Sequence, residues 1–178
     1  MASAINAAPP PRRRRRRRPH RADRRRHDAA LHARPEPPPE GFAQSWYERY
    51  EQGRETRSKE AFAIVGDDGA FLGLALAPSI DDEAAEAELG YIVAAHARGR
   101  GVASEALRQL TAWAFDARGV QRAYLLIDVD NAASSKVAER AGYRLEGVMR
   151  SAYVKQGRRG DTQLWSRLPD DPPVTTTR

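Results

Sequence analysis

No cysteine occurs in the 178 residues, and histidine appears only four times, at 20, 27, 32 and 96. The first absence excludes a disulfide framework, a thiolate nucleophile and any cysteine-rich metal site. The second leaves no histidine pair at helical metal-binding spacing, so no metal is expected. Long apolar runs are also missing: nothing approaches the roughly 18 residues that a membrane span needs, and the polar N-terminus has no apolar core of a signal peptide. Together these absences predict a cytoplasmic protein with no membrane partner.

What is present is sufficient for one ordinary domain core, since 40% of the residues are hydrophobic. The charge is split. Residues 1 to 34 hold 12 arginines against Asp23 and Asp28, a net +10, while the rest carries 18 basic and 22 acidic residues, a net −4. The overall +6 therefore belongs to the N-terminal stretch. That stretch has almost no large aliphatics and no aromatic before Phe42, and cannot offset its ordering entropy by burial. Residues 1–38 accordingly read as a basic, disordered arm or as an aberrant start, because GC-rich coding DNA translated out of frame also gives Arg, Pro, Ala and His without periodicity. Residues 39–168 read as the domain, and 169–178 as a disordered tail.

Within the domain, Phe42, Trp46 and Tyr50 recur at helical spacing, with Gly53 as the expected stop. Two apolar runs about "DDG" predict a hairpin with strands near 61–65 and 70–77, the second ended by Pro78. A third strand is expected over about 85–93, a helix over 102–117 closed by Gly119, a buried strand in "RAYLLIDV", and a helix from the Asn131 cap to Gly142. Two last strands are expected on either side of "QGRRGD". One strand-helix-strand crossover among antiparallel neighbours implies a mixed sheet in an α/β (α+β) domain.

The stretch "RGRGVA" lies between the third strand and the long helix. A helix start presents unpaired amides and the positive end of the helix dipole. Gly99 and Gly101 would let a phosphate reach those amides, and Arg98 and Arg100 add positive charge. A tight turn with solvated arginines is the alternative. No GKS or GKT follows to make a P-loop, and Ser104 replaces the third glycine of a dinucleotide fingerprint.

The segment "YIVAAHARGRGVASEAL", in which Arg98, Gly101 and Ala103 fill an arginine or glutamine, x, x, glycine, x, glycine or alanine pattern, resembles the acetyl-CoA pyrophosphate loop of the GNAT superfamily of N-acetyltransferases. The stretch "DVDNAASSKVAERAGYRLEGVMR" resembles the second half of that site in the ribosomal-protein N-terminal (alanine) acetyltransferase branch. The resemblance implies the GNAT fold, a mixed and mostly antiparallel sheet splayed at the coenzyme site and flanked by helices. It implies acetyl-CoA as co-substrate, bound by Arg98, Gly99, Arg100, Gly101, Val102 and Ala103, by the backbone of Ile92 and Val93, and by the Asn131 amide. Ile92 and Val93 also read as core, and Asn131 as a helix cap.

Acetyl transfer needs an uncharged amine and a proton for the leaving thiolate. Many family members carry a tyrosine seven residues after the asparagine, where this chain has Ala138; the ribosomal-protein branch carries a serine three residues after it, which Ser134 matches. Glu88 is the favoured base, against a purely structural role, with Glu146 and Asp161 as weaker alternatives and Tyr153 beside the acceptor. His96 reads as a loop residue. The expected activity is N-acetylation of a primary amine, either a protein N-terminus or a small amine, by a monomer or homodimer. Two other readings stand: nucleic-acid binding through residues 12–26, and coenzyme A binding without turnover. The family's usual apolar first strand has no counterpart in the arginine-rich stretch.

Overall fold

The computed structural model describes residues 4 and 5, 40 to 155 and 157 to 174. Among them, α1 (Phe42–Glu55) precedes three antiparallel strands, β2 (Glu60–Val65), β3 (Phe71–Asp81) and β4 (Glu86–Val93). Then come a short 3-10 turn (Ala95–Ala97), α2 (Val102–Arg118), β5 (Arg122–Asp128), α3 (Ala132–Arg140), β6 (Arg144–Lys155) and β7 (Arg158–Arg167). The sheet order is β1-β2-β3-β4-β5-β7-β6, with β1 formed by Ala4–Ile5. Among the described residues only β4 and β5 run parallel, joined through α2.

The "DDG" turn closes as its composition dictates, with Gly66 N donating to Ala70 O at 2.9 Å and Ala70 N to the Asp68 carboxylate at 3.0 Å. One face of the sheet packs on α2. Alternate strand residues, Ile64 in β2, Leu89 in β4 and Leu125 and Ile127 in β5, meet the helix stripe Ala106, Leu107, Leu110 and Ala114. The Phe62 and Trp113 rings meet edge to face at 5.0 Å. Tyr143 donates its hydroxyl proton to Thr111, whose own proton goes to Leu107 O, tying the start of β6 to α2.

Several expected boundaries move, each for a local reason. Helix α1 runs past Gly53 to Glu55. The missing side chain there makes room for the Lys59 stem, which a Cβ would meet at 2.5 Å, and Lys59 Nζ reaches Pro78 O at 2.6 Å. Strand β3 passes through Pro78 to Asp81, because the last β2 partner is Ala77 and the β4 ladder shifts register between Leu76 and Ser79. Proline thus sits where no ladder needs its absent N–H. The last hairpin is tighter than "QGRRGD", with β7 beginning at Arg158.

At the N-terminal side, Ala4 and Ile5 pair with Val65 and Ile64, so a two-residue strand lies along that end of β2. The remainder of the arm, including residues 12–26 and the choice between a basic arm and an aberrant start, lies outside the described residues. At the other end, the stretch after Leu168 begins as a held turn. Leu168 N donates to Asp171, Arg144 pairs with Asp171 at 3.2 Å and Arg167 reaches Pro172 O.

Candidate active site

Three residue pairs join β4 to β5: Glu86 with Arg122, Ala87 with Ala123 and Glu88 with Tyr124. Beyond them the strands part, although β4 stays paired to β3 as far as Val93 and β5 to β7 as far as Asp128. The facing backbone groups of the parted segments are therefore free of each other. A cleft of about 120 Å³ opens there, lined by β4 from Leu89 to Ile92, by β5 from Leu125 to Asp128, and by Asn131 and Ser134. It lies at the carboxyl ends of two parallel strands, where open α/β sheets hold ligands.

Gly73 of β3 fixes the β4 side of this opening. A Cβ on it would lie 2.1 Å from Ile92 O, so only glycine allows the two backbones to approach this closely. Ile92 itself is 39% exposed, and Val93 O accepts a hydrogen bond from Arg98 Nε at 3.2 Å. Arg98 thereby ties the glycine turn to the end of β4.

After Val93 the chain turns into α2 through Gly99 (φ 74°) and Gly101 (φ 80°). Gly101 is the N-cap residue and supplies no side-chain cap; the first amide bonded back within the helix is Glu105 N, to Gly101 O at 3.1 Å. The left-handed conformation favours glycine, and a Cβ on Gly101 would point into open space. That arrangement suits a diphosphate: uncapped amides, a helix dipole, Arg98 and Arg100 close by in sequence and exposed, and no atoms in the way. The parted edges of β4 and β5 likewise suit an amide-rich arm, so the residues present fit coenzyme A.

Helix α3 forms the opposite wall. Asn131 caps it, its Oδ1 accepting from Ser134 N at 3.1 Å, which leaves the amide NH2 for another partner. Ser134 and Asn131 line the cleft together with Ile92, and the structure brings these expected residues together. It places the others elsewhere. The Arg98–Ala103 segment lies beyond the end of β4, and Glu88 lies one residue before the lining starts, 1% exposed beside Tyr124. Glu146 is held by Arg122 at 2.6 and 2.8 Å and by Ser166, at the end of β5 remote from the cleft. His96 is exposed in the 3-10 turn.

Two polar lining residues were not expected at this site. Asp128 ends β5 and accepts hydrogen bonds from the Tyr153 hydroxyl and, at 3.0 Å, from Asp130 N. Its carboxylate is the first cause, with burial next, that pushes the Tyr153 pKa up to about 12; Asp130 and Asp161 add to the shift. Tyr91 of β4 buries its hydroxyl in the cleft wall, and burial raises its pKa, with Ser134 opposing. A polar residue ending an apolar strand just before a capped helix was the available signal for Asp128. Tyr91 gave only the alternation Leu89, Tyr91, Val93.

A mixed sheet parted between two parallel strands, with an uncapped glycine-led helix start at the opening, defines the class of coenzyme A-dependent acyltransferase folds. The signature of the family described as "Acetyltransferase (GNAT) domain" matches residues 17–144, and the chain belongs to that family. Ribosomal-protein-serine acetyltransferase of Escherichia coli (strain K12) is 32% identical over 84 residues, 47% of each chain. The uncharacterized N-acetyltransferase YoaA of Bacillus subtilis (strain 168) is 35% identical over 81 residues, 45% of each chain. The chain thus spans about half the length of the curated relatives it matches. Spermidine N-acetyltransferase from Vibrio cholerae, solved with CoA and spermine, shares the fold with a TM-score of 0.68 at 22% identity, over 75% of this chain and 79% of that one. The microcin C7 self-immunity acetyltransferase MccE, solved with acetyl-CoA and AMP, gives 0.64 at 26% identity, over 70% and 68%. Among the described residues no helix is long and apolar enough to cross a membrane, and no acidic or histidine cluster could hold a metal.

Proposed function

We propose that this chain is an N-acetyltransferase that moves an acetyl group from acetyl-CoA directly to a primary amine. The observation that carries the reading is the parting of β4 from β5 after Glu88 and Tyr124, in line with the uncapped start of α2. The coenzyme supplies the acetyl group as an activated thioester. The amides from Gly99 to Ala103, with Arg98 and Arg100, hold the diphosphate. The backbone of Ile92 and Val93 and the Asn131 NH2 hold the arm, and a β4 amide faces the charge that develops on the thioester oxygen. Ser134 donates to the leaving sulfur.

For the amine, Glu88 acts as base through water from below the cleft floor, and Asp128, fixed by Tyr153, draws the ammonium form to the opening. Asp128, Asp130 and Asp161 around Tyr153 favour a cationic acceptor. The Escherichia coli relative is named for a ribosomal-protein serine and the Vibrio cholerae structure for spermidine; both acceptor types present a primary amine. Thiol release from acetyl-CoA, measured against peptides with free N-termini and against polyamines, tests the reading. Acceptor-dependent release supports it. Coenzyme binding without release for any acceptor would leave a binding module in its place.

A further inference from the structure

We propose that Tyr91 is a positioning residue for Ser134: its phenolic O–H donates to Ser134 Oγ and leaves the serine's own proton for the coenzyme sulfur. The proposal rests on the reading of Ser134 as donor to that sulfur.

Placement comes first. Strand alternation puts Tyr91 on the face of β4 shared with Leu89 and Val93, the face that packs against the helices. Tyr91 and Ser134 then line one cleft from its two walls, β4 and α3. The Tyr91 hydroxyl oxygen is buried and makes no hydrogen bond to the described residues. Ser134, across the same cleft, is the side chain that opposes the burial-driven rise of the Tyr91 pKa. A buried hydroxyl without a partner is costly, so a small rotation that joins it to Ser134 Oγ is favoured.

The neighbouring serine shows what Ser134 lacks. Ser135 Oγ is anchored to Asn131 O at 3.3 Å and to Gln163 Oε1 at 2.8 Å. Ser134 spends its backbone N–H on the Asn131 cap, and its hydroxyl has no such anchor among the described residues. A serine hydroxyl carries one proton and two lone pairs and rotates freely. In the first turn of a helix it tends to fold back onto a carbonyl one turn earlier. A donor arriving at Ser134 Oγ from Tyr91 occupies a lone pair and turns the remaining O–H toward the cleft. Burial keeps Tyr91 protonated, so it serves as a donor over the whole neutral range. It transfers no proton in this role.

The test uses coenzyme A itself as probe and needs no acceptor. The pKa of the bound thiol, read from thiolate absorbance, is compared for the wild-type chain, Tyr91→Phe, Ser134→Ala and the double variant. Asp128 lines the same cleft and is common to all four. Tyr91→Phe is expected to raise the bound thiol's pKa by about one, a roughly tenfold loss of thiolate preference. Ser134→Ala is expected to raise it at least as much, and the double variant no further. Coenzyme affinity below the thiol pKa should stay within about twofold throughout, which verifies folding.

An unmoved thiol in Tyr91→Phe, with a raised one in Ser134→Ala, overturns the proposal and leaves the serine reading intact. An undiminished Tyr91→Phe effect in the Ser134→Ala background also overturns it, because Tyr91 then acts independently. A wild-type thiol in Ser134→Ala removes the serine reading and the proposal with it. If Tyr91→Phe does not fold, 3-fluorotyrosine at position 91 keeps the hydroxyl and strengthens it as a donor. The bound thiol's pKa should then fall, and an unchanged value overturns the proposal.

Discussion

Helix α3 begins at the cleft and α2 begins beyond the end of β4, and their first turns are finished differently. Asn131 satisfies the start of α3 from within, through its bond from Ser134 N. At the start of α2, Gly101 has no side chain with which to do the same. A capped start is a fixed wall that can present side chains in set positions. An uncapped start keeps its amides and its dipole for an external anion. The chain thus separates two tasks, holding charge at α2 and placing the Asn131 and Ser134 groups at α3.

The largest effect is expected where the free amides are blocked. Gly101→Glu puts bulk and a negative charge in the anion position, and like charges about 4 Å apart cost about 4 kcal/mol at an effective dielectric near 20. Coenzyme A affinity should fall by roughly a thousandfold with the fold kept, as calorimetry and circular dichroism can check. Unchanged affinity would erase the distinction between the two helix starts. Next comes Ser134→Ala, which should lower kcat about 10- to 100-fold while the KM for acetyl-CoA barely moves. Wild-type turnover would return Ser134 to a structural role.

Asn131→Ala removes the internal cap. It should cost about 1 kcal/mol of stability, or about 2–4 °C in Tm by thermal melting, and an unchanged Tm would show that α3 does not depend on its cap. The smallest effect belongs to Glu146, far from both helix starts. Arg122, and then Ser166, hydrogen-bond its carboxylate and hold its pKa below the usual 4.5. A depressed folded pKa gives stability that is present above the unfolded value and lost as the pH falls through the folded one. Glu146→Gln should therefore lower Tm slightly at neutral pH, with the difference vanishing in acid below 4.5 and coenzyme affinity unchanged. A change in affinity would mean that the two ends of β5 are coupled.

The start of α2 was legible because glycine, arginine and helix periodicity are all local signals within "RGRGVASEAL". The Asn131 cap and Ser134 were legible for the same reason. Asp128 and Tyr91 were not, since their roles arise where β4 leaves β5, and that point is set by packing across three strands. Pro78 misled because proline stops a strand only where a partner needs its N–H, and here neither neighbour does. Gly53 misled because it provides space for Lys59 rather than an end to α1.

The most direct test of the account is amide hydrogen exchange of the full chain with and without coenzyme A. The coenzyme should slow exchange at the amides from Gly99 to Ser104 and at the parted edges, Gly90 to Val93 and Leu125 to Asp128, while the Ser134 amide, already bonded to Asn131, changes least. Protection confined to other surfaces, or equal protection at the starts of α2 and α3, would contradict it.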